Sequence, residues 1–295
     1  MRRINNGFYQ KKIINPNWKE GEELWNKYKW INKPKMKIRI MSDIHADYNY
    51  NYPLELKNKD VFTLLAGDIS GYPQIGIDWI KNNIHNGLFV EGNHIFYNNE
   101  KKPLQDLYKI YQKEFPLDNN VSFLQNQHKI INDIVFVGCT LWTDCRLNGA
   151  NDGQDLLNAM NDYVYGRYIY NEGTTNPRVD RFTPYISVKE FNKSLDYIHN
   201  ICDEYRGKKI VVLTHHCPSP KCISPYYRSG DSNQGYASNL EDFIRNHGNI
   251  VLWVCGHSHH QCDFKIDGCR IIMNCRGYVR YGEDKNFNPN KIILI

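Results

Sequence analysis

The chain has 295 residues, of which 41% are hydrophobic and 23% charged, enough apolar material for one large α/β domain or two small ones. A formal net charge of +5 spread over that length excludes the concentrated Lys/Arg stripe of a sequence-specific nucleic-acid binder, while leaving nucleic acid open as a substrate. No apolar run approaches the roughly 18–20 residues that span a bilayer, and the N-terminus lacks the apolar core of a signal peptide. Nine cysteines without a C-x-x-C pair read as reduced thiols, so a cytoplasmic protein is expected, with no oligomeric state specified.

Residues 1–36 are polar and rich in Asn, Lys and Trp. Within them "WKEGEELWNKYKW" (18–30) has the pattern of a short helix with Trp18, Leu24, Trp25 and Tyr28 as contacts. They are expected to form an extension packed on a main domain running over 37–295. From Met36 short apolar runs recur, each closing on Gly, Asp, Asn or His: "MKIRIMSDIH", "VFTLLAGD", "NGLFVEGNH", "DIVFVGCTLW", "KKIVVLTHH" and "NIVLWVCGHSHH". Their length and β-branched content predict strands. Helical periodicity falls between them, in "LQDLYKIYQKEF" (104–115) and "SVKEFNKSLDYIHNICDEY" (187–205). "CDFKIDGCRIIMNC" predicts a hairpin turning at Asp267-Gly268, and "NKIILI" a last strand. Strands alternating with helices and then returning predict an α/β sandwich. Two connections, 143–186 and 217–238, are too long for simple loops, and such ordered insertions usually wall or cover a site. Cys255 and Cys262 flank three crowded histidines, but their spacing fits no familiar zinc knuckle, so both read as packing residues.

The polar residues at the strand ends carry the chemistry. Asp43 and His45 stand in "SDIHAD", Asp68 in "AGDIS", Asn93 and His94 in "EGNHIF", His215 in "LTHHCP", and His257 and His259 in "GHSHH". In parallel-rich sheets ligands bind beyond the carboxyl ends of the strands, so residues distant in sequence converge there. Each has an ordinary explanation alone: an Asp after a strand forms turns, and a single His is usually structural. Their order, each after a buried strand, argues against chance. Carboxylates, imidazoles and one amide oxygen suit manganese, zinc or iron. Seven such ligands are too many for one ion and right for two.

D-x-H, G-D, G-N-H, H and G-H-x-H, in that order, resemble the calcineurin-like metallophosphoesterase superfamily. "GNHIFY", "GCTLWTD", "MNDY", "VVLTHHCPS", "ASNLEDFI" and "NCRGY" look like an uncharacterised bacterial and phage branch of it. The resemblance covers about residues 37–295. It implies a metallo-dependent phosphatase-like αββα sandwich, two mixed sheets flanked by helices. It also implies a first ion on Asp43, His45 and His259, a second on Asn93, His215 and His257, and Asp68 bridging. Manganese is the first expectation for both ions, with iron or zinc next. The Gly67, Gly92 and Gly256 backbones would turn sharply beside the ions.

The implied activity is hydrolysis of a phosphomonoester or phosphodiester by in-line attack of a metal-bridging hydroxide, on a small or nucleotide-like substrate. His94 would serve the leaving group. Arg276 and Arg167 are candidate substrate contacts, and His216 would face the cleft or a neighbouring strand. A nuclease acting on short single-stranded nucleic acid, or a scaffold that kept the fold and lost catalysis, are the competing readings. The sequence departs from its relatives in three places. "ISGY" after Asp68 lacks the phosphate-clamping Arg of the protein phosphatases, Ile95 replaces an acidic residue, and Cys275 stands where Pro is usual.

Overall fold

A computed structural model describes residues 35–97, 101–149 and 153–295. The expected helix over 18–30 and the docking of the N-terminal extension lie outside them. Lys37–Ile293 form one unit. Its strands are β1 (Lys37–Met41), β2 (Thr63–Ala66), β3 (Gly87–Val90), β4 (Val121–Phe123), β5 (Gln127–Ile131), β6 (Ile134–Cys139), β7 (Arg167–Tyr170), β8 (Arg178–Arg181), β9 (Lys209–Thr214), β10 (Ile250–Cys255), β11 (Cys262–Ile266), β12 (Cys269–Met273) and β13 (Ile292–Leu294). The helices are α1 (Pro73–Asn83), α2 (Leu104–Glu114), α3 (Leu156–Ala159), α4 (Asn161–Tyr165), α5 (Pro184–Glu204) and α6 (Glu241–Asn246).

Two mixed sheets flanked by helices make the sandwich that the resemblance implies. One runs β13-β1-β2-β3-β4 and the other β11-β12-β10-β9-β6-β5. Strands β1 to β4 are mutually parallel, as are β6, β9, β10 and β12. Every residue of β2, β3 and β6 is buried, which explains why these strands read as continuous apolar runs rather than alternating ones. The inner faces meet where β2 and β3 contact β6, β9 and β10. The parallel central strands of both sheets therefore end at one side of the molecule.

The sequence-predicted hairpin is β11–β12, paired antiparallel with Asp267 at φ 46° in its turn. Strands β4, β5, β7 and β8 and helices α1, α3, α4 and α6 were not named from the sequence. Helix α1, "PQIGIDWIKNN", begins on a proline at its first position and carries Gly76 inside, which masks its periodicity. Strand β5 is only partly buried, and β7–β8 form a separate two-stranded hairpin within the 143–186 connection.

Candidate metal centre

All eight sequence-predicted centre residues stand just beyond strand ends. Asp43 and His45 follow β1, Asp68 follows β2, and Asn93 and His94 open a 3-10 turn after β3. His215 follows β9, while His257 and His259 follow β10. Asp43, His45, Asp68, His257 and His259 all hold left-handed backbone, with φ between 45° and 72°. Such a conformation costs of order 1–3 kcal/mol at a non-glycine residue and persists only where its surroundings dictate it.

The surroundings do so through cross-braces. Asp43 Oδ1 accepts from the His257 amide at 3.0 Å, and Asp68 Oδ1 from the His94 amide at 3.0 Å. The His45 amide donates to the Asp68 carbonyl at 3.0 Å. The glycines act differently from expectation. Only Gly67 has positive φ, at 86°. Gly92 keeps extended backbone and serves close approach, because a Cβ there would overlap Asp68 Oδ1 and lie 2.6 Å from His215 Nε2.

Side-chain acceptors crowd two adjoining points. Ligand atoms of Asp43, His45 and His259 all lie within 4.8 Å of one another, as do those of Asp68, His215 and His257. His215 Nδ1 donates to the Ala66 carbonyl at 2.8 Å, which in a neutral ring leaves Nε2 a lone pair. That lone pair faces Asn93 Oδ1 at 2.9 Å and Asp68 Oδ2 at 3.4 Å, both acceptors. His259 is arranged similarly: Nδ1 donates to Glu283 Oε2 at 2.6 Å, which turns Nε2 toward Asp43 Oδ1, an acceptor, at 3.4 Å and toward His45 Nε2 at 3.0 Å, whose role depends on its tautomer. His257 Nε2 is buried without a hydrogen-bond partner among the described residues. Where His215 faces Asn93 and Asp68, and His259 faces Asp43, the converging acceptors call for positive charge between them.

The electrostatics of these side chains point the same way. Burial opposes charge on His215, yet the Asp68 carboxylate and its hydrogen bond raise its pKa to about 9. Burial likewise opposes charge on His259, and the hydrogen bonds to Asp43 and Glu283 raise it to about 10. Burial would lift Asp43, but His259 holds it down at about 2. Carboxylate, imidazole and amide donors in two clusters fit divalent ions of the manganese, iron or zinc type.

Several participants escape the strand-end pattern. Glu283 orients His259 through its second nitrogen, the usual support of a metal-bound imidazole, and also accepts from the Tyr278 amide at 2.8 Å. Tyr278 stacks on His45 at 4.6 Å between centroids, and its hydroxyl lies 3.1 Å from His94 Nε2. Asn93 Nδ2 donates to the Tyr97 hydroxyl at 3.0 Å, which in turn donates to Asp162 Oδ1 at 3.3 Å. That chain points the Asn93 amide oxygen at His215.

The model of the calcineurin-like phosphoesterase family matches residues 36–261. The chain belongs to that family. It is a metal-dependent phosphoric ester hydrolase by that membership. Among its relatives, uncharacterized protein L509 of Acanthamoeba polyphaga mimivirus is 27% identical over 286 residues, covering 88% of this chain and 96% of that one. The crystal structure of phosphopantetheinyl hydrolase from Mycobacterium tuberculosis matches with a TM-score of 0.63 at 16% identity, over 88% of this chain and 95% of that chain. At that identity the likeness is one of fold.

A cleft of about 590 Å³ opens over the phosphoesterase centre, with Asp68, Asn93, His94, His257 and His259 at its floor. Residues 159–162 of the 143–186 connection and 223–236 of the 217–238 connection line its sides. The three expected substrate contacts are not among its lining residues. Arg167 turns back to donate to the carbonyls of Val164, Tyr165 and Gly166, capping α4. Arg276 is buried, donates to the Tyr52 carbonyl and borders a separate cavity of about 380 Å³. His216 is buried between Trp142 and His257, with Nδ1 donating to the Thr140 carbonyl. It supports His257 rather than facing the cleft. Among the described residues no Lys or Arg lines the cleft, whereas five tyrosines do.

Proposed function

We propose that Asp43, His45 and His259 hold one divalent ion, that Asn93, His215 and His257 hold a second, and that Asp68 serves both. The observation that carries this is the pair of acceptor clusters, with Asp68 in contact range of His45 and His94 on one side and of His215 and His257 on the other. Manganese suits the mixed carboxylate, imidazole and amide donors, with iron or zinc as alternatives. Ions held there supply Lewis acidity toward phosphoryl oxygens and an activated water.

The chain's own residues do the rest. Asn93 is kept amide-oxygen inward by Tyr97, and Glu283 keeps the His259 ring fixed. His94 faces the cleft floor beside Asp68, its Nε2 3.8 Å from Asp68 Oδ2. Burial lowers its pKa; Asp68 opposes this, and His259 and His215 add to it. At neutral pH the ring is therefore mostly neutral and accepts from the Tyr278 hydroxyl. His94 then assists the leaving oxygen through its minor protonated form, with Tyr278 positioning the ring.

The substrate is proposed to be a small phosphate ester, mono- or diester, carrying a flat group. The cleft volume suits a small ligand. Tyr236 lies stacked on His257 at 4.7 Å, and Tyr226 and Tyr227 stand exposed at the rim. These aromatic faces favour a nucleobase-like moiety, while the lack of lining cations disfavours tracking a nucleic-acid backbone. The test is Asp68→Asn. It should lose bound manganese together with bis-p-nitrophenyl phosphate turnover, and a variant that keeps both would overturn the shared-carboxylate assignment.

A further inference from the structure

The histidine centre uses no sulfur, yet four cysteines gather beside it. Cys217 follows β9 by three residues, and Cys222 ends the 3-10 turn Pro220–Cys222. Cys255 ends β10, and Cys262 begins β11. Cys217, Cys222 and Cys255 are fully buried, and their sulfurs all lie within 4.8 Å of one another. Cys222 Sγ and Cys255 Sγ are 4.0 Å apart. Around a tetrahedral ion with metal–sulfur bonds of ~2.3 Å, sulfurs stand about 3.8 Å apart. A disulfide would need ~2.05 Å. Cys262, partly exposed, neighbours Cys222 but stands outside the group of three, so its side chain would turn inward to supply a fourth ligand.

Packing alone accounts poorly for this. Buried free cysteines behave as small hydrophobes and have no reason to seek one another in threes. The spacing also becomes intelligible. Cys217 and Cys222 make C-x4-C, within the usual range for a zinc ligand pair. Cys255 and Cys262 are farther apart because the intervening residues include His257 and His259.

We propose that Cys217, Cys222, Cys255 and Cys262 form a tetrahedral thiolate site for one soft divalent ion. Four sulfurs select zinc over manganese, so this ion is distinct from those of the histidine centre. Cys217 and Cys222 belong to the cleft wall 217–238, and Cys255 and Cys262 bracket the turn that carries two ligands of the centre. The ion would therefore pin the wall to the ligand-bearing turn. The Ser258 hydroxyl, donating to the Cys222 carbonyl at 2.8 Å, already ties these two segments at the same place. Binding displaces thiol protons to solvent, including the one Cys217 shares with the Gly256 carbonyl, and needs no oxidant.

The test is cobalt(II) titration of the full-length, metal-stripped protein under reducing conditions. The expected result is an intense thiolate-to-cobalt charge-transfer absorption that one equivalent of zinc abolishes, a signal that carboxylate and imidazole ligands do not produce. Cys222→Ser should remove that absorption and one zinc per chain, while the histidine centre still takes up manganese. Should Cys222→Ser fail to fold, the wild-type spectrum decides alone. Cys262→Ser, altered on the exposed side, should weaken zinc retention without unfolding the chain. No thiolate–cobalt absorption in the wild type would overturn the proposal, as would its survival in Cys222→Ser. A Cys222–Cys255 disulfide found by alkylation and mass spectrometry in protein purified without reductant would also overturn it. Because the readout is sulfur-specific, loss of the histidine centre through Asp68→Asn should leave it intact.

Discussion

Glu283→Gln isolates one charge behind the centre. The carboxylate meets His259 Nδ1 at 2.6 Å and holds the ring so that Nε2 points at Asp43 and His45. Its side chain is 34% exposed, so solvent screens part of the interaction. Carboxylates supporting metal-bound imidazoles typically contribute 10–100-fold to metal affinity, or about 1.4–2.7 kcal/mol. Glutamine keeps an acceptor oxygen for both His259 and the Tyr278 amide and loses only the charge. The low end therefore applies: about tenfold weaker metal binding, or ~1.4 kcal/mol. Glu283→Ala also strips the Tyr278 amide of its acceptor, and should approach 100-fold. The assay is bis-p-nitrophenyl phosphate turnover of metal-stripped protein as manganese is added back. Both variants should need more manganese for half-maximal rate and recover nearly the wild-type kcat at saturation. An unchanged half-saturation point with a kcat that metal does not restore would refute the reasoning, and would mean that Glu283 meets substrate in the cleft it helps to line.

His94→Ala should keep both ions and lose roughly 10²–10⁴-fold in turnover. The loss should be larger for an alkyl phosphate than for a nitrophenyl ester, whose phenolate leaves unaided; equal losses would mean that His94 orients phosphate instead. Asn93→Ala should lose metal along with activity, and Tyr97→Phe, which removes the acceptor for Asn93 Nδ2, should weaken metal binding about tenfold, as read by calorimetry. Metal uptake should release protons at pH 7, because His215 and His259 in the metal-free protein titrate near 9 and 10 and must shed protons to ligate. Apparent affinity should therefore rise with pH beyond 7 rather than level off at the usual histidine range. Calorimetry in buffers of different ionisation enthalpy reads the proton count, and no release at pH 7 would contradict the assignment.

The part of the centre legible in the sequence is the part that sits on strand ends. Asp43, Asp68, Asn93, His215 and His257 each follow an apolar run, so the parallel-sheet rule gathers them before any coordinates exist. Glu283 and Asp162 carried no such signal. Glu283 lies in a short 3-10 turn after Gly282, a stretch with neither periodicity nor motif, and reaches His259 only because the chain folds back. Tyr278 stood within the recognisable "NCRGY" and Asp162 within "MNDY", and a polar residue next to a family motif was the available hint. Arg167 and Arg276 were chosen for charge, but a guanidinium is as readily spent on backbone carbonyls, and both side chains point to them here. The approach of Cys255 to Cys217 and Cys222 was not visible in linear spacing, because the cluster is assembled from two distant segments.

The most direct measurement is a manganese count on the histidine centre against activity. Metal-stripped protein, with the thiolates alkylated or loaded with zinc, is titrated with manganese, and bound ions and phosphodiester turnover are read together. The account predicts full turnover only when two manganese ions are bound per chain, with both abolished in Asp68→Asn. Full turnover with one ion bound, or turnover that survives complete removal of metal, would contradict it.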